Sequence, residues 1–246
     1  MAEGKLVLIT GAGGGMGQAT VERLSSDGFR VAGTDINESG LNQAIATATT
    51  EATGYLCDLT DEAATHAMVA KVQDEMGTID VLVNLIGWSG TTRFHEEKSD
   101  YWRKIMSINF FSILYVTHPV LNGMIEANSG KIVNVSSDAG RVGTSTEAVY
   151  SAMKGGLIAF SKSLARENAR YNVNVNAVCP GPTDTPLLQE EIEANPDIVA
   201  RMTRIIPFRR LGQPEDMAAA ISFLAGPDSD YITGQALSVS GGLTMV

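Results

Sequence analysis

The sequence predicts one doubly wound α/β domain, a seven-stranded parallel sheet with helices on both faces. Three observations predict it. Short apolar runs alternate with longer stretches of helical spacing along the whole 246 residues. Several runs, such as "KLVLIT" and "DVLVNLIG", are apolar almost throughout rather than alternating, as strands covered on both faces are. No internal repeat, low-complexity tract or linker marks a second domain, and a single domain of this length buries a large core.

The strands expected in order are "KLVLIT", "FRVAGTDI", "TGYLCDL", "DVLVNLIG", "GKIVNVSS", "VNVNAVCPG" and "QALSVSG". Helical spacing falls near residues 17–27, 38–49, 61–76, 99–126, 150–171 and 215–225. Residues 183–212 break the rhythm with two weak helical pieces and several prolines after the sixth strand. An insertion of that length beyond the carboxyl end of a strand is placed to act as a substrate lid, and Leu187 is its expected apolar substrate contact.

Composition narrows the partners. Eighteen Lys and Arg against 28 Asp and Glu give a net charge of −10, which disfavours non-specific nucleic-acid binding. The opening "MAEGKLVLITG" lacks the pattern of a signal peptide. The apolar "INFFSILYV" is short for a bilayer span and contains Asn109 and Ser112, so a soluble cytoplasmic protein with no membrane partner is expected. Cys57 and Cys179 sit in apolar surroundings and read as buried thiols rather than a disulfide. His66, His95 and His118 are scattered, so no metal is expected.

"LVLITGAGGGMGQATVERL" runs strand, glycine loop, helix, with Gly11, Gly15 and Gly17 in a G-x-x-x-G-x-G pattern and Gly13 and Gly14 in the gap. A pyrophosphate must approach backbone N–H groups at a helix N-terminus, and a Cβ in the loop would block it; a plain tight turn is the alternative. Asp35 ends the second strand twenty residues after Gly15. A carboxylate there accepts hydrogen bonds from the adenosine ribose hydroxyls and repels a 2′-phosphate. No basic residue follows in "DINES", so NAD is expected over NADP, with an N-cap aspartate as the alternative. Asp58, after the third strand, suits either the adenine amino group or a turn.

"VYSAMKGG" places Tyr150 and Lys154 four residues apart, one helical turn. A free phenol has a pKa of about 10, and lowering it by about three units takes about 4 kcal/mol of differential stabilisation. One positive charge at about 4 Å supplies about that much in a partly buried site, and an oxidised nicotinamide would add a second. The pair therefore reads as a phenol tuned to exchange a proton near neutral pH; the alternative is a packed tyrosine beside a solvated lysine. Ser136 and Ser137 follow the strand "KIVNV", with Ser137 thirteen residues before Tyr150, where a hydroxyl can hold a substrate oxygen. Asn109 lies in an apolar helix, where a buried amide needs partners: a neighbouring backbone group, or a water linked to the lysine.

On these motifs the chain resembles the short-chain dehydrogenase/reductase family over nearly its whole length. "TGAGGGMG" corresponds to the family's glycine motif, "YSAMK" to its Tyr-x-x-x-Lys, "IVNVSS" to its serine strand with Ser137 at the catalytic spacing, and Asn109 to its helix asparagine. The resemblance implies a single-domain Rossmann fold and a catalytic set of Asn109, Ser137, Tyr150 and Lys154. It implies cofactor contacts at Gly11, Gly15, Met16, Gly17, Asp35, Asp58, Leu59, Asn84 and Gly87. Around the sixth strand it adds Pro180, Gly181, Thr183 and Thr185, the last for the nicotinamide carboxamide. One departure stands out: the family's Asn-Asn-Ala-Gly reads "NLIG", with Leu85 and Ile86 in place of an amide and a small residue, and a modest repacking beside the adenosine ribose is expected.

The implied reaction interconverts a secondary alcohol and a ketone. Tyr150 exchanges the proton, Ser137 orients the oxygen, Lys154 holds the nicotinamide ribose, and Asn109 supports a water relay. "SDAGRVGTSTEAVYSAMKGG" and "CPGPTDTPLL" are similar to the 2-hydroxycyclohexanecarboxyl-CoA dehydrogenase branch, which implies an alicyclic hydroxyacyl-CoA or cyclic alcohol as substrate. A 3-oxoacyl-(acyl-carrier-protein) reductase or a broad ketone reductase is the alternative. Arg141 and Trp88 are the expected substrate contacts, with Arg209 and Arg210 near a rim phosphate; pairing of these arginines with "QEEIE" or across a subunit contact, and ordinary packing of Trp88, are the alternatives. A homotetramer assembled through the helices near 99–126 and 150–171 is implied. A non-catalytic cofactor sensor would be expected to have lost Tyr150 or Lys154, and a nucleotide-sugar epimerase to carry a longer carboxyl-terminal domain.

Overall fold

The computed structural model describes residues 4–186, 188–189 and 198–246. Strand β1 (Leu6–Thr10) leads through the glycine loop into α1 (Gly15–Ser26); β2 (Arg30–Asp35), α2 (Glu38–Ala46), β3 (Ala52–Leu56) and α3 (Glu62–Met76) follow. Next come β4 (Val81–Asn84), α4 (Ser99–Met106), α5 (Ser112–Ala127), β5 (Gly130–Val135), the short α6 (Ala139–Val142), α7 (Ala148–Asn168) and β6 (Val173–Pro180). The chain ends with α8 (Ile198–Ile205), α9 (Pro214–Ala225) and β7 (Ala236–Val239).

All seven strands pair in parallel, in the order β3-β2-β1-β4-β5-β6-β7. The chain builds outward from β1 to β3, then returns to lay β4 on the other side of β1. At that reversal the loops after β1 and β4 diverge and leave a crevice at the carboxyl ends of the strands. Every expected strand is present, and the two faces of the sheet explain their uninterrupted apolar character. Leu6 and Leu8 point into one core with Val69, Val116 and Met124; Val7 and Ile9 point into the other with Val21, Leu24 and Ile221. Successive side chains of a strand alternate faces, so both must be apolar when both are covered.

The helix expected near 99–126 is continuous from Ser99 to Ala127, 29 residues with a mean hydropathy of 1.2 over its most apolar window. Its length is the one expected, and by length and composition alone the whole helix, unlike the run "INFFSILYV" by itself, is enough for a bilayer span. Its buried face, Ile113, Val116, Val120 and Met124, packs on the sheet, while Phe111 stacks on Tyr115 on the outer side. Between α4 and α5 the turn Ser107–Phe111 is π-helical. The cause is local: Asn109 Nδ2 donates to the carbonyl of Ile105, four residues back, at 3.0 Å. A side chain inserted into the backbone ladder widens the turn.

Cys57 and Cys179 are both buried and free. Within 183–212, α8 and the bridge from Thr183 to Gly212 are described. The expected contact Leu187 and part of the first weak helical piece lie outside the described residues.

Candidate active site

The crevice is a groove of 770 Å³ running from the glycine loop past the ends of β2, β3 and β4. The sequence-predicted residues Gly11, Gly15, Met16, Asp35, Asp58, Leu59, Gly87, Trp88 and Thr185 line it. Gly14 is the N-cap of α1, contributes no side chain, and no described group accepts from the N–H groups of Gly15, Met16 or Gly17. A helix start with unpaired donors opening on a groove fits a pyrophosphate.

The glycines are required for two different reasons. A Cβ on Gly17 would lie 2.2 Å from the Gly11 carbonyl oxygen and 2.6 Å from that of Ala12, inside the turn's own backbone. A Cβ on Gly15 would lie 2.9 Å from Pro186 Cδ, where the insertion crosses the loop. Gly17→Ala is therefore expected to lower stability by about 3 kcal/mol, because backbone cannot yield as a flexible side chain does. A thermal-unfolding midpoint unchanged in that variant would contradict this packing.

Asp35 is fixed from both sides: Oδ2 accepts from Gly13 N at 2.9 Å and Oδ1 from Asn37 N at 2.8 Å. It ties the glycine loop to the start of α2 and presents its charge to the groove, beside Ile36, Asn37, Ser39 and Gln43. The N-cap role left open for it belongs instead to Asn37, whose side chain accepts from Gly40 N.

Asn84 differs from expectation. It is fully buried, and Nδ2 donates to Thr117 Oγ1 at 3.0 Å and Asn134 Oδ1 at 2.8 Å. Asn134 in turn donates to Ser161, so these side chains tie β4 to β5, α5 and α7 rather than line the groove. Leu85 and Ile86 show why the motif tolerates apolar residues: their backbone N–H groups donate to Thr10 Oγ1 at 3.1 and 3.3 Å, and Leu85 joins the core. Pro180, Gly181 and Thr183 do not line the groove; Thr183 Oγ1 donates to Gly181 O and shapes the loop after β6.

At Gly87 the groove meets the second cluster. A Cβ there would lie 3.2 Å from both Asn109 Oδ1 and Lys154 Nζ, which places the amide and the ammonium together beside the groove wall. Asn109 is satisfied by backbone: Nδ2 donates to Trp88 O at 2.7 Å, and Oδ1 accepts from Trp88 N at 3.2 Å. Lys154 is 3% exposed, donates to Val135 O at 2.9 Å, and its Nζ lies 5.7 Å from the Tyr150 ring centroid. The first glycine of "KGG" has a packing reason, since Gly155 lets α7 meet α6 at Gly140, where any Cβ would strike the backbone of Lys154 and Gly155. Ser137 Oγ accepts from Ala139 N at 3.1 Å and stands near enough to the Tyr150 phenol to favour its ionised form.

The electrostatics correct one expectation. The Tyr150 phenol is raised, not lowered: burial is the largest cause, the Glu147 carboxylate adds to it, and only the neighbouring Ser137 hydroxyl opposes. Burial also lowers Lys154 to about 8. One turn of helix brought the groups together as expected, but desolvation disfavours both charged forms, and the ammonium hydrogen-bonds a carbonyl instead of the phenol. The Cys179 thiol behind Lys154 is pushed up to about 11, chiefly by burial, and stays protonated.

The expected substrate-side arginines are engaged elsewhere. Arg141 donates to Ala236 O and Ser238 Oγ on β7, Arg210 forms a two-pronged pair with Asp216, and Arg209 donates to Arg204 O. Trp88 does line the groove, held edge-on by Tyr101, with Lys104 Nζ 3.6 Å from its ring centroid. Lys104, Gln18 and Gln43 are groove residues that sequence reasoning missed; each reads as an ordinary polar position on an exposed helix face.

A dinucleotide groove at the sheet's reversal, joined to a Ser-Tyr-Lys-Asn cluster, defines an α/β oxidoreductase. The family model described as enoyl-(acyl carrier protein) reductase matches residues 11–244. The 3-oxoacyl-(acyl-carrier-protein) reductase FabG of Vibrio cholerae is 36% identical over 244 residues, 99% of each chain. Among solved structures, NAD⁺-bound xylitol dehydrogenase superposes with a TM-score of 0.93 at 34% identity, covering 98% of this chain and 99% of that one. An actinorhodin polyketide ketoreductase with NADPH gives a TM-score of 0.94 at 36% identity, covering 99% of both. The chain belongs to the short-chain dehydrogenase/reductase family and is an oxidoreductase acting on CH–OH and keto groups.

Proposed function

We propose that this enzyme reduces the keto group of a 3-oxoacyl thioester, using NADH in preference to NADPH. The observation that carries the reading is the placement of Lys154 and Asn109 beside the groove at Gly87, with the Tyr150 ring 5.7 Å from Lys154 Nζ and Ser137 next to that phenol. Similarity to the FabG reductase supports the thioester. Nothing in these comparisons singles out the alicyclic branch that the sequence resembles.

A bound nicotinamide supplies the hydride for the substrate's carbonyl carbon. Tyr150 donates its proton to the oxygen as negative charge develops there, and a raised phenol pKa keeps that proton in place at neutral pH. Ser137, whose hydroxyl stands beside the Tyr150 phenol, is placed to hold the same oxygen. Lys154 stands on the same helix face to hold the nicotinamide ribose, and Asn109, beside its Nζ, marks the start of a water route for reprotonation. In the oxidising direction the same phenol must lose its proton; the protein's own groups do not favour this, so the positive charge of oxidised nicotinamide is the remaining source of acidity. The insertion at 183–212, touching the glycine loop through Pro186, serves as the substrate lid. A homotetramer through the outer faces of α4, α5 and α7 is supported by the exposed Phe111 stacked on Tyr115, and a cytoplasmic location suits the free buried thiols.

Cofactor choice rests on Asp35, since related structures hold either NAD⁺ or NADPH. Its carboxylate faces the groove, and its described neighbours in sequence there, Ile36, Asn37, Ser39 and Gly40, are all uncharged. Asp35→Ala also removes acceptors from Gly13 and Asn37, so NADH affinity should fall. The telling quantity is the ratio of the two dissociation constants, expected to narrow by about tenfold or more. An unchanged ratio by fluorescence titration contradicts the assignment. The reaction itself is tested by NADH oxidation with a panel of 3-oxoacyl-CoA thioesters, cyclic ketones and simple ketones. Turnover confined to substrates lacking a thioester would overturn the thioester reading while leaving the reaction class intact.

A further inference from the structure

Asp138 follows Ser137 and is 4% exposed. Its backbone N–H donates to Pro180 O at 3.0 Å, at the end of β6. Its carboxylate Oδ1 accepts from Ser238 Oγ at 2.5 Å, on the edge strand β7. That same hydroxyl accepts from Arg141 Nη1 at 3.0 Å, and Arg141 also donates to Ala236 O at 2.8 Å. A buried carboxylate and a guanidinium are thus joined through one serine rather than in direct contact. The direction of the chain is fixed, because a guanidinium only donates and an ionised carboxylate only accepts.

Such an arrangement is a poor choice for stability alone. Asp138 Oδ2 is buried without a hydrogen-bond partner among the described residues. Burying a carboxylate with half its acceptors unused is expensive compared with an apolar side chain of the same size. The position of the unit suggests what it does. Asp138 begins the turn whose next residue, Ala139, donates its N–H to Ser137 Oγ at 3.1 Å. Asp138 is therefore held to β6 by its backbone and to β7 by its carboxylate, while Arg141 holds the far end of α6 to β7. With that N–H occupying one lone pair, the direction left for the Ser137 hydroxyl is set by this turn.

We propose that Asp138, Ser238 and Arg141 form one positioning unit, a serine-bridged ion pair that aims the Ser137 hydroxyl from the edge of the sheet. The inference rests on the reading of Ser137 as the contact to the substrate oxygen. None of the three residues touches the reacting atoms; they act through the turn.

The test uses full-length protein, NADH and acetoacetyl-CoA, with Ser137→Ala, Ser238→Ala, Ser238→Thr, Asp138→Asn and the Asp138→Asn/Ser238→Ala double variant. Ser238→Ala is expected to lower kcat about tenfold, with the NADH dissociation constant and the melting temperature unchanged. Ser238→Thr restores kcat because the hydroxyl returns, and the double variant is no slower than the worse single one because the residues act as a unit. A readout without substrate runs alongside: the ultraviolet tyrosinate titration of the NAD⁺-saturated protein, minus that of Tyr150→Phe. There Ser238→Ala should move the Tyr150 transition upward in the same sense as Ser137→Ala. The proposal is overturned if Ser137→Ala loses activity and shifts the titration while Ser238→Ala does neither. It is equally overturned if the Ser238→Ala loss follows the melting temperature and is not rescued by threonine. If Ser137→Ala itself retains wild-type kcat and titration, the reading of Ser137 fails, and the positioning unit with it.

Discussion

Tyr150→Phe is expected to lower kcat for ketone reduction by about 10³-fold while leaving NADH binding unchanged. The substitution removes one oxygen and keeps the ring, so the 5.7 Å approach of Lys154 Nζ to the ring centroid is preserved. Nor does the groove change, because Tyr150 is not part of its lining. Ser137 loses a neighbouring hydroxyl but keeps the N–H of Ala139. The loss therefore falls on the proton transfer, and fluorescence titration separates it from cofactor binding. A variant that retained even a tenth of the wild-type kcat would require another proton donor.

Lys154→Met should show effects of opposite sign on activity and on stability. Lys154 sits at about 8 in the folded chain against an ordinary value of 10.5. Below pH 8 the folded protein carries a buried charge that the unfolded chain keeps in water, so the lysine is destabilising there. That penalty fades between pH 8 and 10.5, as the folded group is already neutral and the unfolded one loses its proton too. The shift corresponds to about 3 kcal/mol, and the methionine variant forfeits about 1 kcal/mol for the unpaired Val135 carbonyl. A net gain of about 2 kcal/mol near pH 6, shrinking above pH 8, is the expected result in denaturant melts without cofactor. Activity should fall at every pH, since both the charge and the proposed hold on the nicotinamide ribose are lost. A variant less stable than wild type at pH 6 would show that the buried ammonium is better compensated than one carbonyl allows.

The sheet and the glycine loop at the mouth of the groove were legible because their signals are local. Apolar runs without alternation require cover on both faces, and "TGAGGGMG" follows a strand and opens a helix. The turn from Tyr150 to Lys154 is equally local. Distance along the chain hid the rest. Arg141 finds its partners on β7, 95 and 97 residues away, and nothing in "SDAGRVG" points there. Asn84 joins a buried network through Asn134, 50 residues on, so a motif position expected at the cofactor belongs to the core. The sign of the Tyr150 shift was also hidden: pairing with a cation is visible in the spacing, whereas the loss of water around both polar groups is a property of the assembled fold. The π-helical turn at Asn109 depends on the amide reaching the Ile105 carbonyl, which only the helix reveals.

The most direct measurement is a crystal structure of the enzyme with NAD⁺ and a 3-hydroxyacyl thioester. Tyr150 Oη and Ser137 Oγ are each expected within about 3 Å of the substrate's hydroxyl oxygen, with the carbinol carbon facing the nicotinamide ring. An oxygen bound by other groups, with the 150 side chain pointing away from it, would contradict the account.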